Sequence, residues 1–161
     1  MPPWNHLHPA IVHFPIALLT VAPLLVLVGL VWPAQRRGIH ASAMFLLVLG
    51  LGGLFLALAS GDAVERYAKA TPALQAGVRE HELLAQKTTL IFGLLVLTFM
   101  MLWGLPLLRR RELPRNFERG LLILWLLLSL GGVLILAQTG HAGGHLVHDL
   151  HDHAYPEPPL H

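Results

Sequence analysis

The sequence predicts an all-α protein, a four-transmembrane-helix up-down bundle with both termini extracytoplasmic. Three observations predict it. Hydrophobic residues make up 55% of the 161 positions and charged residues only 12%. The apolar residues fall into four unbroken blocks, each about the roughly 20 residues that a helix needs to cross a hydrocarbon core. Finally, the arginines collect in two of the connecting segments. Inside hydrocarbon an unpaired backbone amide costs several kcal/mol, and blocks this long satisfy their amides as helices rather than as barrel strands.

The first block covers 10–32. No Lys or Arg precedes it, it exceeds the usual apolar core of a secretory signal, and no convincing small-residue cleavage site follows, so it is expected to stay as a span. Pro15 and Pro23 lie within it as potential kinks. The second block covers 39–60, where Gly50, Gly52 and Gly53 permit close approach of a neighbouring backbone. The third covers 83–105 and holds Lys87, the one Lys or Arg inside any block; the fourth covers 120–138, with a Gly131–Gly132 pair. A short amphipathic helix is expected around 63–70 in the connection between the second and third blocks. Residues 1–140 then form the transmembrane domain, and 141–161 a histidine-rich extracytoplasmic tail.

Arg36 and Arg37 lie between blocks one and two, and Arg109, Arg110, Arg111, Arg115 and Arg119 between blocks three and four. That face carries seven basic and two acidic residues against four and seven on the other. By the positive-inside rule the arginine-rich face is cytoplasmic, which places both termini on the extracytoplasmic side. The same rule accounts for the pI near 9.5, so nucleic acid is not expected as a partner; the lipid bilayer is.

With no cysteine, disulfides, iron–sulfur clusters and thiolate metal sites are excluded. No nucleophile elbow, phosphate-binding loop, dinucleotide fingerprint or HExxH motif occurs, so a hydrolase or primary transporter is not expected. Met44, Met100 and Met101 fall toward the arginine-rich side, away from the histidines, which argues against a mixed His/Met copper site.

The histidines are the most informative feature. Of the eleven, this topology leaves only His40 on the arginine-rich side. His8 precedes Pro9 near the start of the first helix and His13 lies just over one turn further in. His81 is expected beside the start of the third helix, and the fourth is expected to end just before His141. In an up-down bundle these positions share one height and can converge on one pocket. Neutral imidazole is the commonest transition-metal ligand, and a polar group at membrane depth is a functional candidate by default. His8, His13, His81, His141, His145 and His148 are therefore candidate metal ligands. For haem, His13 paired with His81 or with His141 is the expected geometry, with Lys87 either snorkelling outward or offering a counter-charge to a haem propionate. The tail holds five histidines and two aspartates between His141 and His153, a density typical of metal-binding tracts. Gly143 and Gly144 are expected to break the helix there.

The segments LHPAIVHFPIALL near the N-terminus, HELLAQKTTLIFGLLVL in the third block and GHAGGHLV after the fourth resemble a bacterial family of predicted membrane proteins known only as a domain of unknown function. The matching positions are His8, Pro9, His13, Pro15, His81, Gly143 and Gly144. Related proteins look like small four-helix modules sometimes joined to periplasmic cytochrome-like domains, which implies a haem or redox association. The expectation is a non-catalytic subunit that holds haem b, or alternatively a transition-metal ion, and exchanges electrons with a periplasmic cytochrome or membrane redox complex. The competing expectations are an accessory or scaffold subunit of a larger membrane complex and a metal-handling protein for zinc, copper or iron.

Overall fold

The computed structural model describes the backbone of 4–65, 72–104, 106, 108 and 114–148, and the side chains of 11–61, 72, 74–104, 106, 108 and 114–146. All of these but Trp32 and Pro114 are helical, with no strand among them. Helix α1 runs Trp4–Val31, and a 3-10 turn at Pro33–Gln35 leads into α2 at Arg36–Glu65. Helix α3 spans Pro72–Phe99 and continues into a π-helical turn at Met100–Gly104, and α4 spans Arg115–His148. Each helix contains a stretch long and apolar enough to cross a membrane: Ile11–Val31, Pro33–Gly61, Leu74–Gly104 and Arg115–Leu146.

The helices are packed in the ring order α1, α2, α3, α4, so that α1 stands diagonal to α3 and α2 diagonal to α4. Two antiparallel pairs dominate. In the first, α1 meets α2 where glycine lets the backbones close: Leu19 lies over Gly50, Pro15 over Gly53 and His40 over Gly29. The fourteen residues from Pro15 to Gly29 along α1 are matched by thirteen back along α2, from Gly53 to His40, as expected of an antiparallel pair joined by the tight Pro33–Gln35 turn. In the second, Leu95 and Ile91 of α3 lie over Gly132 of α4, and the buried Trp125 indole N–H donates to the Leu95 carbonyl at 2.9 Å. Small residues at a helix seam are what lipid-immersed bundles use, because association there depends on close packing rather than on expulsion of water.

Leu19, Val26, Leu47, Phe92, Phe99, Leu122 and Trp125 fill the interior. The outward faces are equally apolar, with Leu56, Leu90 and Leu127 all exposed. Apolar residues on every side mark helices whose surroundings are hydrocarbon. The protein is therefore a multi-pass membrane protein of four spans.

The helices outrun the apolar blocks. Helix α3 begins at Pro72, so His81 sits about two and a half turns inside it rather than beside its start. Helix α4 continues to His148, so it does not end before His141 and the Gly143–Gly144 pair does not break it. Hydropathy reports where hydrocarbon ends, whereas the backbone ladder carries on for as long as nothing interrupts it. Helix α2 likewise extends to Glu65, and the rest of the expected amphipathic segment lies outside the described residues. Pro15 and Pro23 lie within α1, which remains helical through both.

Candidate functional site

The start of α1, the end of α2, the start of α3 and the end of α4 come together at one end of the bundle, where Phe14 and Pro15 meet Gly53, Ile16 approaches Gly140, and His81 meets Gly143. The described histidines of this end face in two directions.

His81 faces inward. It shares a stripe of α3 with Thr88, Phe92, Leu95 and Phe99, at steps of seven, eleven, fourteen and eighteen residues that return to one helix face, and all four are buried. Its Nδ1 lies 3.1 Å from the Thr139 carbonyl of α4. A carbonyl only accepts, so Nδ1 carries the proton and Nε2 keeps its lone pair. In an unbroken helix the Thr139 carbonyl is also the acceptor for the Gly143 amide, and the imidazole reaches it across the bare Cα of Gly143. A Cβ there would stand 2.9 Å from His81 Cε1. Gly143 thus provides room for a ring rather than a helix break.

About two turns deeper along α3, the Thr88 hydroxyl lies 2.7 Å from that of Thr139 in a buried contact. Thr139 Oγ1 donates to the Ile135 carbonyl at 2.9 Å, which uses its single proton, so Thr88 is the donor between the two. The sequence reading did not single out this polar ladder of His81, Thr139 and Thr88. Its signal was two threonines in otherwise aliphatic helices, on the side where glycines also fall.

The other histidines point elsewhere. His13 is exposed, on the side of α1 opposite Pro15, Leu19 and Ala22. His141 and His145 are exposed on α4, on the side away from Gly132, Leu136 and Thr139. His148 closes α4, but its side chain, like that of His8, lies outside the described residues, and so does all of 149–161. Lys87 is exposed, six residues and therefore two thirds of a turn round α3 from His81. The expected pairings of His13 with His81 or with His141 across the bundle are not brought together. Helices α1 and α3 are diagonal as that pairing requires, but the His13 side chain is turned outward. Among the described residues no group of three or more His, Asp or Glu side chains is placed to hold a metal ion.

A family model described as predicted membrane protein, DUF2231, matches residues 5–155. The chain belongs to this family. The DUF2231 match covers all four spans and reaches into the histidine tract. Among the curated proteins and the solved structures, nothing matches.

A residue at the opposite end is the one sequence reasoning passed over. His40, set aside as the lone histidine on the arginine-bearing side, is completely buried. It packs over Gly29, where a Cβ would stand only 2.4 Å from Nε2, and meets Phe99 edge-on at 5.8 Å between ring centres. Phe99 in turn stacks at a tilt on Trp125, 4.9 Å away. The Val26 carbonyl lies nearby but does not meet the ring with hydrogen-bond geometry, and neither nitrogen has a hydrogen-bond partner among the described residues. The signal in the sequence was register: His40 falls on the stripe of Ala43, Leu47, Gly50 and Leu54.

Proposed function

We propose that the protein holds a single histidine-ligated metal centre, haem b in the first instance, on the α3–α4 side of the bundle, and serves as a non-catalytic electron-transfer subunit of the bacterial cytoplasmic membrane. One observation carries the reading: His81 Nδ1 is committed to a backbone carbonyl, the outer-shell arrangement that fixes ring orientation and leaves Nε2 free to bind iron or another transition metal. The arginine distribution supports an extracytoplasmic location for that end of the bundle, where a periplasmic cytochrome or a membrane redox complex would be the partner. Because His13 and His141 face outward, His81 is the residue of this end that would hold the group, and the iron or other metal would supply the redox chemistry.

The test is an absorption spectrum of the full chain purified gently with its membrane lipids. A Soret band that His81→Ala removes and His13→Ala keeps is the expected result. Colourless protein from cells supplied with haem and iron overturns the haem reading. The outward direction of His13 and His141 favours a second reading, an accessory subunit whose histidines contact a neighbouring protein. That reading predicts colourless protein that co-purifies with a membrane complex.

A further inference from the structure

The α3-side centre uses a histidine that faces into the bundle; the histidines at the end of α4 face out, and they constitute a different kind of site. We propose that the last two turns of α4 form a chelating face for a divalent transition-metal ion of the zinc, copper and nickel class, with His141 and His145 as its ligands. The proposal does not rest on the haem reading.

The argument starts from the unbroken helix. Because α4 stays helical from Arg115 to His148, His141 and His145 are separated by one turn. Residues four apart on a helix are neighbours, with about 5–6 Å between their Cβ atoms. That spacing lets two imidazoles reach one metal ion from the same face, which is the physical content of the paired histidines in helical zinc motifs. Had the glycine pair broken the helix, this spacing would not exist. Both side chains are exposed, and both lie on the far side of α4 from Thr139 and Gly143, the positions that contact His81.

Two further features favour a cation at this place. The end of a helix presents carbonyls without intrahelical partners and carries the negative end of the macrodipole. The absence of cysteine and the imidazole donors select borderline ions over calcium or magnesium, which require oxygen ligands. With two imidazoles from the helix and the remaining positions taken by water, the site is open and suited to capture and release rather than to structural closure.

The experiment is zinc titration of the full-length protein in detergent, read by competition with a chromophoric chelator. Helicity is followed in parallel to confirm that each variant is folded. The expected result is a strong site that weakens by about tenfold or more in His141→Ala and in His145→Ala. A register-shifted variant, His145→Ala with Leu146→His, keeps the number of histidines but moves one round the helix, and it should lose the strong site as well. Zinc binding retained by His81→Ala separates this face from the α3-side centre. Equal affinity in the shifted and native proteins overturns the proposal, because binding would then follow the tail's composition rather than its helical register. Absence of a strong zinc site in the native protein, or its loss in His81→Ala, also overturns it.

Discussion

Arg36 of α2 reaches Glu118 of α4 diagonally across the arginine-bearing end of the bundle, with 2.8 Å between Nη1 and Oε2. The pair spans two helices that otherwise barely touch, and it lies at the same end as the stack of His40, Phe99 and Trp125. Both side chains keep some exposure, 30% and 17%, so the attraction is partly screened. A double-mutant cycle with Arg36→Ala and Glu118→Ala, followed by thermal unfolding in detergent, should give a coupling of about 0.5–1 kcal/mol. A coupling indistinguishable from zero would show that the pair orients the starts of α2 and α4 without stabilising the bundle.

Gly29 is the one residue that fits opposite His40. A methyl group added there would sit 2.4 Å from Nε2 and 2.5 Å from Cδ2 of a ring with no exposure. Gly29→Ala should destabilise by about 1–3 kcal/mol through overpacking. Removing the ring in Gly29→Ala/His40→Ala should recover part of that loss, a non-additive result expected of residues in contact. If the two changes add independently in thermal unfolding, the close approach is not what limits position 29.

Much of the architecture was readable because hydrocarbon imposes a length, and four blocks of that length leave few alternatives. The directions of the side chains were harder to read, for a physical reason. A soluble helix betrays its inner face by an apolar stripe, but α1 and α4 are apolar on all sides, so hydropathy carries no directional signal. Small and polar residues mark the seam instead: Gly29, Gly50 and Gly53 for the first pair, and Thr88, Gly132 and Thr139 for the second. Read from that seam, His81 and His40 fall inward while His13, His141 and His145 fall outward. The extension of α4 is not legible from composition, because glycine is usually a stop signal, whereas at Gly143 it serves the approach of His81.

That role of Gly143 yields a prediction. In Gly143→Ala the new methyl group must push His81 away from the Thr139 carbonyl, since a Cβ would meet Cε1 at 2.9 Å. The expected cost is about 1 kcal/mol, typical of a lost hydrogen bond together with local repacking. Gly144→Ala, where nothing lies within 4 Å of the added carbon, should be neutral or slightly stabilising, as alanine favours a helix over glycine. The difference in melting temperature between the two variants measures the effect, and equal behaviour would remove the close-approach argument.

Trp125 separates polar from packing energy. Its indole donates to the Leu95 carbonyl, and its ring fills the interior beside Phe99. Trp125→Phe keeps an aromatic ring and forfeits the donor, and interhelical hydrogen bonds in bilayers are worth only about 0.6 kcal/mol on average. The total loss should therefore stay near 1–2 kcal/mol once the smaller ring is included. Trp125→Ala should cost about 3–5 kcal/mol, because the cavity remains. Comparable losses from both variants would mean that the hydrogen bond, not the volume, holds α3 to α4.

The least usual expectation concerns His40. A buried imidazole with neither nitrogen hydrogen-bonded among the described residues forfeits the hydrogen bonds it could make outside the bundle, a penalty of about 1–3 kcal/mol. Leucine is close to histidine in volume and carries no polar atom, so it relieves that penalty while keeping contact with Phe99. His40→Leu should therefore leave the folded protein as stable as the native form or more so, with a higher melting temperature in detergent. Most changes at fully buried positions destabilise, so the sign alone is diagnostic. A fall in melting temperature, restored by asparagine or glutamine at the same position but not by leucine, would mean that His40 meets a polar partner within the membrane, and would make this end of the bundle a second place to look for one.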